Sequence, residues 1–379
     1  MIPFALLVVY LALLSAYALF LHRVGQGIEA LSSEESTPGP EIAPLPTLTV
    51  VVPMRNEEGH VAACIGSLRG QEYPDNTLRF IIVDDQSTDG TAAAVEHEIR
   101  GDGRFTLLRI GAEAPGGKKS AIAAAIDCCA SETILTTDAD CTHGPRWAAC
   151  MARELARGRD IVAGPVVYER AGGLFARLQA LEFLGLVGVG AGLFGVGYPR
   201  LCNGANLAYR RTAFYDAGGF TGNEHIASGD DEFLLHSIVY RRGGEAGFAA
   251  APDAVVSCCP AATVGAFISQ RVRWASKGPH YNDGRFVAFL VILFCFFLCA
   301  ATSPLLLFLS PWAAVLAGVI YMIKAGLDAS VLFAAARLFR QPVRGIDLII
   351  AELLHPFYLV GVSIAGAAGV FTWKDRKQT

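Results

Sequence analysis

Apolar residues in this chain fall into three patterns, and each predicts a different kind of element. The first is a run of spanning length. Residues 1–21 (MIPFALLVVYLALLSAYALFL) are uninterrupted by charge, enough at ~1.5 Å per residue for a ~30 Å hydrocarbon core. The run lacks the basic start and the small-x-small cleavage site of a secretory leader, so residues 1–22 are read as a retained anchor. His22 and Arg23 follow it and place the next domain on the cytoplasmic side. The second pattern is the short, near-continuous run: LTVVVP (48–53), RFIIVDD (79–85) and ETILTTDAD (132–140). Such runs are strands buried on both faces, and the last two close on acidic residues. Amphipathic segments at about 58–71 and 91–100 alternate with them. Strand alternating with helix predicts an α/β domain whose mixed, mainly parallel sheet carries helices on both faces and binds its ligand at the strands' carboxyl ends.

The third pattern returns in the last hundred residues. Runs at 286–309, 311–333 and 346–371 each have spanning length. Lys324 and Asp328 interrupt the second at i, i+4, a spacing that lets them pair and face other helices, and His355-Pro356 marks a kink in the third. Residues 23–47, with SSEESTPGPEIAPLP, read as a Pro-rich linker. The Gly- and Leu-rich stretch 171–198 contains Arg177, Gln179 and Glu182 and reads as an interfacial segment rather than a span. The chain thus divides into an anchor (1–22), a linker (23–47), an α/β domain (48–280) and a membrane region (281–379) with about three spans. Four crossings would put the C-terminus opposite the domain. Both ARLFRQPVR (336–344) and WKDRK (373–377) are basic, and the positive-inside rule cannot satisfy both with four crossings: either a late segment is re-entrant or the terminal charges are overruled.

Composition agrees with this mixture. The chain is 53% hydrophobic and 17% charged, with mean hydropathy +0.41, too apolar for a soluble protein and too polar for a pure channel. Its net charge of −4 excludes a broad basic field for nucleic acid. The ten cysteines show no C-x-x-C or zinc spacing and read as small buried hydrophobes without disulfides.

Candidate chemistry sits at the strand ends. Asp84 and Asp85 close the second strand; Ser87, Thr88 and Asp89 beyond them are good helix caps, but capping does not explain two acids at a strand end. Asp138-Ala139-Asp140 places two carboxylates at i, i+2 beyond the third strand, where oxygen ligands can hold Mg²⁺ or Mn²⁺ and leave coordination sites for phosphate and water. A second acidic cluster, HIASGDDEFLL (225–235), offers Asp230, Asp231 and Glu232 at a helix start, as caps or as a general base. Near the last third lies SQRVRWASKG (269–278). On a helix Gln270, Arg273 and Trp274 are i, i+3 and i+4 and share a face. A guanidinium can fork onto diphosphate oxygens, and an indole offers a wall for a sugar. Arg271 and Lys277 are assigned to anchoring at the membrane interface.

VVPMRNEE (51–58), IIVDDQSTDGT (81–91), GGKK (116–119), TTDADC (136–141), the acidic cluster and Q-x-x-R-W, in that order, resemble the family-2 glycosyltransferases. The similarity is to the membrane-integrated branch with cellulose and hyaluronan synthases and ceramide glucosyltransferases, and it covers about residues 48–277. The resemblance implies a GT-A fold, an NDP-sugar donor (usually a UDP-sugar), a divalent cation and inversion at the anomeric carbon. Carried over, Asp85 matches the nucleobase contact, with Pro53 and Glu57 beside it. Lys118 resembles the family's lysine near the nucleotide, with Lys119 its rival and Ala123 where Asn is usual. Asp138 and Asp140 match the metal-holding D-x-D. NGANLAYRR (203–211), through Asn206, looks like the segment that lines the sugar pocket. Two registers are open for the base; Asp231 is preferred over Asp230.

A polymer synthase threads its product through many helices, whereas one span precedes this domain and at most three follow it. That count implies one-step transfer to a membrane lipid from a multi-pass protein of the inner membrane, its domain cytoplasmic. A small polysaccharide synthase subunit is the alternative. A nucleotidyltransferase would need a Gly-rich, Arg-containing loop where MRNEEGH stands, and a binding protein or transporter would not need Asp231.

Overall fold

Alternate residues of the first strand serve two different cores. Val50 and Val52 pack with Phe80, Ile82 and Trp147, while Val51 joins Ile81, Val83 and Ile134 on the opposite side. Side chains of a strand alternate between faces, so a strand covered on both sides must be apolar at every position.

The computed structural model describes residues 2–35, 44–74, 76–111, 113–114, 116–169, 172–223, 229–281, 283–368, 371–373 and 376–378. Helix α1 (Ile2–Glu35) leads into β1 (Leu48–Met54), α2 (Val61–Arg69), β2 (Leu78–Asp84), α3 (Thr91–Glu98), β3 (Phe105–Arg109) and α4 (Lys118–Asp127). There follow β4 (Thr133–Thr136), β5 (Cys141–His143), α5 (Trp147–Ala156), β6 (Ile161–Ala163), β7 (Val166–Tyr168) and α6 (Leu174–Gly195). The domain closes with β8 (Leu207–Arg210), α7 (Arg211–Asp216), α8 (Glu232–His236), β9 (Ala246–Phe248), β10 (Val256–Cys258) and α9 (Val264–Ala275). Three apolar helices remain: α10 (Gly284–Thr302), α11 (Pro311–Leu338) and α12 (Gly345–Ala367).

The main sheet has seven strands in the order β3-β2-β1-β4-β8-β6-β9. β1 runs parallel to β2 and β4, and β8 is antiparallel to both β4 and β6. A smaller sheet, β5-β10-β7, sits beside it. Helices α2, α3 and α5 contribute to one core. Helices α4 and α6 contribute to the other, which is continuous with α1, α10 and α11. This is a GT-A-like mixed sheet with helices on both faces. The strands β1, β2 and β4 match the expected runs to within a residue at their starts; β3, β6, β8, β9 and the small sheet go beyond those expected runs.

Two expected boundaries are corrected. Residues 23–35, read as linker, continue α1. Val24, Ile28 and Leu31 are buried at helical spacing, and Gly27 meets Gly192 and Gly195 of α6 so closely that any side chain there would strike backbone. Residues 36–43 of the expected linker lie outside the described residues. The segment 171–198 holds one helix, α6, which is one of five helices among the described residues that are long and apolar enough to cross a membrane. Yet β6 before it and β8 after it pair in one sheet. A single crossing by α6 would put them on opposite sides, so α6 and the domain share one side.

The apolar helices are tied by buried charge. Lys324 Nζ lies 2.8 Å from Asp328 and 2.5 Å from Glu352 of α12, and the Tyr17 hydroxyl donates to Asp328 at 2.6 Å. Lys324 and Asp328 pair as their spacing predicts. The last helix departs from a simple span. Asp347, at its start, pairs with Arg177 of α6 at 2.8 Å, and Gly366, at its end, abuts Ala275 of α9. Both ends of α12 therefore meet the α/β domain.

Candidate active site

Three strand-end loops converge on one ammonium group. β2 ends at Asp84, whose carboxylate accepts from Ser87 N–H in a turn. The next residue, Asp85, is buried and accepts the Gly117 N–H, 3.0 Å from either oxygen. Gly117 adopts φ +119°, which a side chain would resist. That bond fixes the start of α4 and aims Lys118, whose Nζ lies 2.7 Å from Asp138 and 3.1 Å from Asp230. Burial works against the Lys118 ammonium, but Asp138 and Asp230 outweigh it and its pKa is raised. Burial likewise pushes Asp230 up, and Lys118 more than reverses this, leaving it below the usual carboxylate range. Lys119 points elsewhere, donating to the Asn223 carbonyl at 2.7 Å. Of the two lysines, Lys118 is the one that lines the cavity with these acids.

Asp138 and Asp140 follow β4 at its carboxyl end. Burial, then the neighbouring Asp138 and Glu57 carboxylates, raise Asp140 to about 6. Such a crowded acid pair is short of positive charge, and a divalent cation bound by both would relieve it. Among the described residues no group of three or more His, Cys, Asp or Glu could hold a metal unaided. The donor set therefore fits a hard cation that takes its remaining ligands from phosphate and water, as Mg²⁺ commonly does.

Asp231 caps α8. Its Oδ1 accepts Glu232 N–H at 2.7 Å and its Oδ2 accepts Gly204 N–H at 3.1 Å, which leaves lone pairs on each oxygen. Glu232 is buried, and burial raises its pKa despite Lys277, 3.0 Å away. The Tyr281 hydroxyl also donates to Glu232. Lys277 stands 3.9 Å from Asp231. Residues 224–228 of the acidic cluster lie outside the described residues.

Helix α9 brings Gln270, Arg273 and Trp274 to the same cavity as these acids. Burial lowers the Arg273 pKa against the fields of Asp230, Asp138 and Asp231, so the guanidinium faces the carboxylates. Gln270 Oε1 accepts from Tyr168 at 3.2 Å and from Arg271 at 2.6 Å. The expectation for Arg271 and Lys277 is corrected: neither is an interface anchor. Arg271 is 3% exposed, ion-paired with Glu182 of α6 and stacked 4.2 Å over Trp274. Lys277 is buried against Glu232. Sequence reasoning missed both because their partners come from distant segments.

Asn206 is also corrected. It is fully buried; its amide donates to Pro165 and Ala254 carbonyls and accepts from Trp147 Nε1 at 3.0 Å. It holds the sheet together behind the site, and the same segment reaches the cavity through Asn203 and Ala205. Pro53 lies within β1, opposite Val83. Glu57 stands at that strand's exit, 2.9 Å from His60, and its field is felt at Asp140. Arg55 donates to the Asp85 and Gln86 carbonyls and ties the two strand ends together.

One cavity of about 1210 Å³ holds Lys118, Asp138, Asp140, Asp231, Arg273 and Trp274 and continues between α6, α10 and α12. A mixed sheet with acids at its parallel strand ends defines a GT-A-like domain joined to apolar helices. Residues 49–218 match the profile of Glycosyl transferase family 2, so the chain carries a domain of that type. An N-acetylglucosaminyltransferase of Rhizobium meliloti (strain 1021) is 28% identical over 249 residues, 62% of this chain and 56% of that protein. The chain thus spans little more than half the length of that curated relative. A beta-monoglucosyldiacylglycerol synthase of Nostoc sp. is 32% identical over 96 residues, 25% of this chain and 20% of that protein. The mannosyltransferase PcManGT from Pyrobaculum calidifontis, solved with GDP-Man and Mn2+, shares the fold with TM-score 0.56 and 21% identity, over 96% of this chain and 98% of that one.

Proposed function

We propose that this protein transfers a sugar from an NDP-sugar, a UDP-sugar by its resemblance, to the hydroxyl of a membrane lipid, with inversion. The observation that carries this reading is the single cavity: its polar end holds the acids, Lys118 and Arg273, and its other end opens among helices fit for a bilayer. The named relatives agree in kind, one being by its name a synthase of a monoglucosyldiacylglycerol and the structural neighbour holding GDP-Man with Mn2+.

In this reading Asp85, with Pro53 and Glu57, borders the nucleoside end, and Lys118 and Arg273 face the diphosphate. A Mg²⁺ or Mn²⁺ ion held by Asp138 and Asp140 would supply positive charge to the leaving diphosphate. Asp231 accepts the proton of the acceptor hydroxyl as its oxygen attacks the anomeric carbon from the face opposite the nucleotide. Such general-base help is worth ~10²–10⁴-fold, and fixed charge beside the leaving group is often worth more. Asp230 is the poorer base because Lys118 holds its pKa down. Gln270 and Trp274 form the wall against the sugar. The protein lies in the inner membrane as a multi-pass chain with the catalytic domain cytoplasmic, and α6 rests at the interface.

The test is a donor screen on purified full-length protein with total lipid extract, with and without Mn²⁺, measuring nucleotide release and product. A short glycolipid is expected, and polymer alone would reject the lipid reading for a polysaccharide synthase. Asp231→Asn should lose turnover by ~10²-fold or more while still binding UDP. If Asp230→Asn does this instead, the base has been misassigned.

A further inference from the structure

The cavity wall changes character along its length. Its lining from the apolar helices is mostly hydrocarbon, with Leu290 and Phe294 from α10, Leu359 and Val362 from α12 and Leu186 from α6. The chamber among these helices is thus continuous with the sugar-transfer site. Whatever occupies it must present its reacting group beside Asp231.

The charges on the wall constrain that group. Among the described residues its lysines and arginines are Lys118, Arg271, Arg273 and Lys277, and carboxylates outnumber them. Lys118 is engaged by Asp138 and Asp230, Lys277 by Glu232, and Arg271 by Glu182. Arg273 lies in the fields of Asp138, Asp230 and Asp231. The deep wall adds Asp328 and Glu352, both paired with Lys324. Positive charge on the described wall is therefore already balanced by acids, and the acids that share it with the apolar lining, Asp231 and Glu232 among them, would repel a second anion beside the donor's diphosphate.

A phosphate-headed lipid is a poor match on two counts. It carries about −1.5 to −2 charge at neutral pH, and its oxygen is already ionised, so a carboxylate base beside it has nothing to do. A hydroxyl reverses both: it brings no charge, and it must lose a proton to attack. We propose that the acceptor is an uncharged lipid with a free hydroxyl, its hydrocarbon chains lying in the chamber between α6, α10 and α12. This rests on Asp231 as base in the lipid-transfer reading above. In the transfer, the acceptor oxygen bonds to the anomeric carbon, the bond from that carbon to the diphosphate oxygen breaks, the nucleotide leaves with its electron pair, and the hydroxyl proton goes to Asp231.

The experiment uses the full chain in mixed micelles with its preferred donor and four acceptors: a diacylglycerol, a ceramide, phosphatidylglycerol and a polyprenyl phosphate. Glycolipid formation is measured with each, and nucleotide binding separately by calorimetry. The expected result is kcat/KM for one of the uncharged lipids at least about tenfold above that for either anionic lipid, since like-charge juxtaposition discriminates strongly. Equal or faster transfer to phosphatidylglycerol or polyprenyl phosphate overturns the charge argument while leaving lipid transfer standing. Nucleotide binding with no transfer to any lipid overturns lipid transfer itself. Leu290→Trp and Leu359→Trp test the chamber: each should raise the acceptor KM by about tenfold with nucleotide binding unchanged. An unaltered acceptor KM in both variants places the chains elsewhere.

Discussion

The Lys118 ammonium lies 3.1 Å from the Asp230 carboxylate, and the same nitrogen is 2.7 Å from Asp138. One cation thus holds together the strand-end acids and the segment before α8. Lys118→Met would leave these acids to repel each other and the incoming diphosphate. Loss of such an electrostatic group commonly costs ~10²–10³-fold in kcat/KM for the donor. Lys119→Met, which removes a charge that bonds the Asn223 carbonyl, sits beside Phe233 and acts on Asp230 from a distance, should cost less than Lys118→Met does. Steady-state kinetics of the two variants separate neighbouring lysines that look alike in sequence.

Glu182 reaches the catalytic helix through Arg271. Arg271 Nε lies 3.0 Å from Glu182, the guanidinium also bonds Gln270 and covers Trp274, and Tyr358 of α12 donates to the same Glu182 at 3.1 Å. Glu182→Gln leaves a buried guanidinium without its counter-charge, a change worth about 3–5 kcal/mol of stability. Thermal melting should register that loss. The kinetic signature should be a fall in kcat with nucleotide affinity intact, because Arg271 contacts Gln270 and Trp274, whereas the proposed nucleotide contacts, Asp85 and Lys118, lie on other elements. Equal loss of nucleotide binding would argue for collapse of the whole domain.

Much of the frame is legible in sequence because burial on both faces leaves a plain mark. β1, β2 and β4 are apolar through their centres, at Val50 to Val52, Phe80 to Val83 and Ile134 to Leu135, so their ends, and with them Asp85 and the D-x-D corner, can be located in advance. Arg271 and Lys277 could not be: a basic residue near an apolar run reads the same whether it reaches for lipid headgroups or for Glu182 and Glu232. Asn206 and Asn203 are likewise indistinguishable until the fold buries one against Trp147 and turns the other to the cavity. Residues 23–35 did carry a signal in the helical spacing of Val24, Ile28 and Leu31, masked by the glycines that allow close packing on α6.

The corner after β4 is braced by a neutral histidine. His143 is buried, with Thr137 Oγ1 2.8 Å from one ring nitrogen and Ser67 Oγ 3.0 Å from the other, and burial lowers its pKa from 6.5 to about 3. The unfolded chain binds this proton near pH 6.5 and the folded chain only near 3, so the contribution is fully present above 6.5 and falls as pH drops toward 3. By about pH 5.5 the deficit from this group is about 1.4 kcal/mol. Melting midpoints should therefore fall between about pH 7.5 and about pH 5.5, and by less in His143→Gln, which has no proton to gain. A variant with the same pH slope as the parent would locate the acid sensitivity in other groups.

The last prediction concerns which side of the bilayer holds the C-terminus. α1 runs from its apolar start to the domain, where Glu34 lies 3.6 Å from Arg157. α10 leaves the domain at Phe286, beside His236. α11 returns to it, with Phe339, just past its end, near Phe248 of β9. α12 then starts at Arg177 and finishes at Ala275, both on the domain, while Ile349, Leu353, Phe357 and Ile364, between 57% and 60% exposed, form one outward apolar stripe. A helix tethered at both ends on one side lies along that side, its stripe turned to lipid, and does not complete a crossing. Three crossings by α1, α10 and α11 then put residues 336–344 and the basic tail with the catalytic domain, which removes the conflict with the positive-inside rule that four crossings create. In sealed vesicles, a C-terminal epitope tag should be cleaved by protease only in the orientation that also exposes the catalytic domain. Cleavage in the opposite orientation would mean that α12 spans.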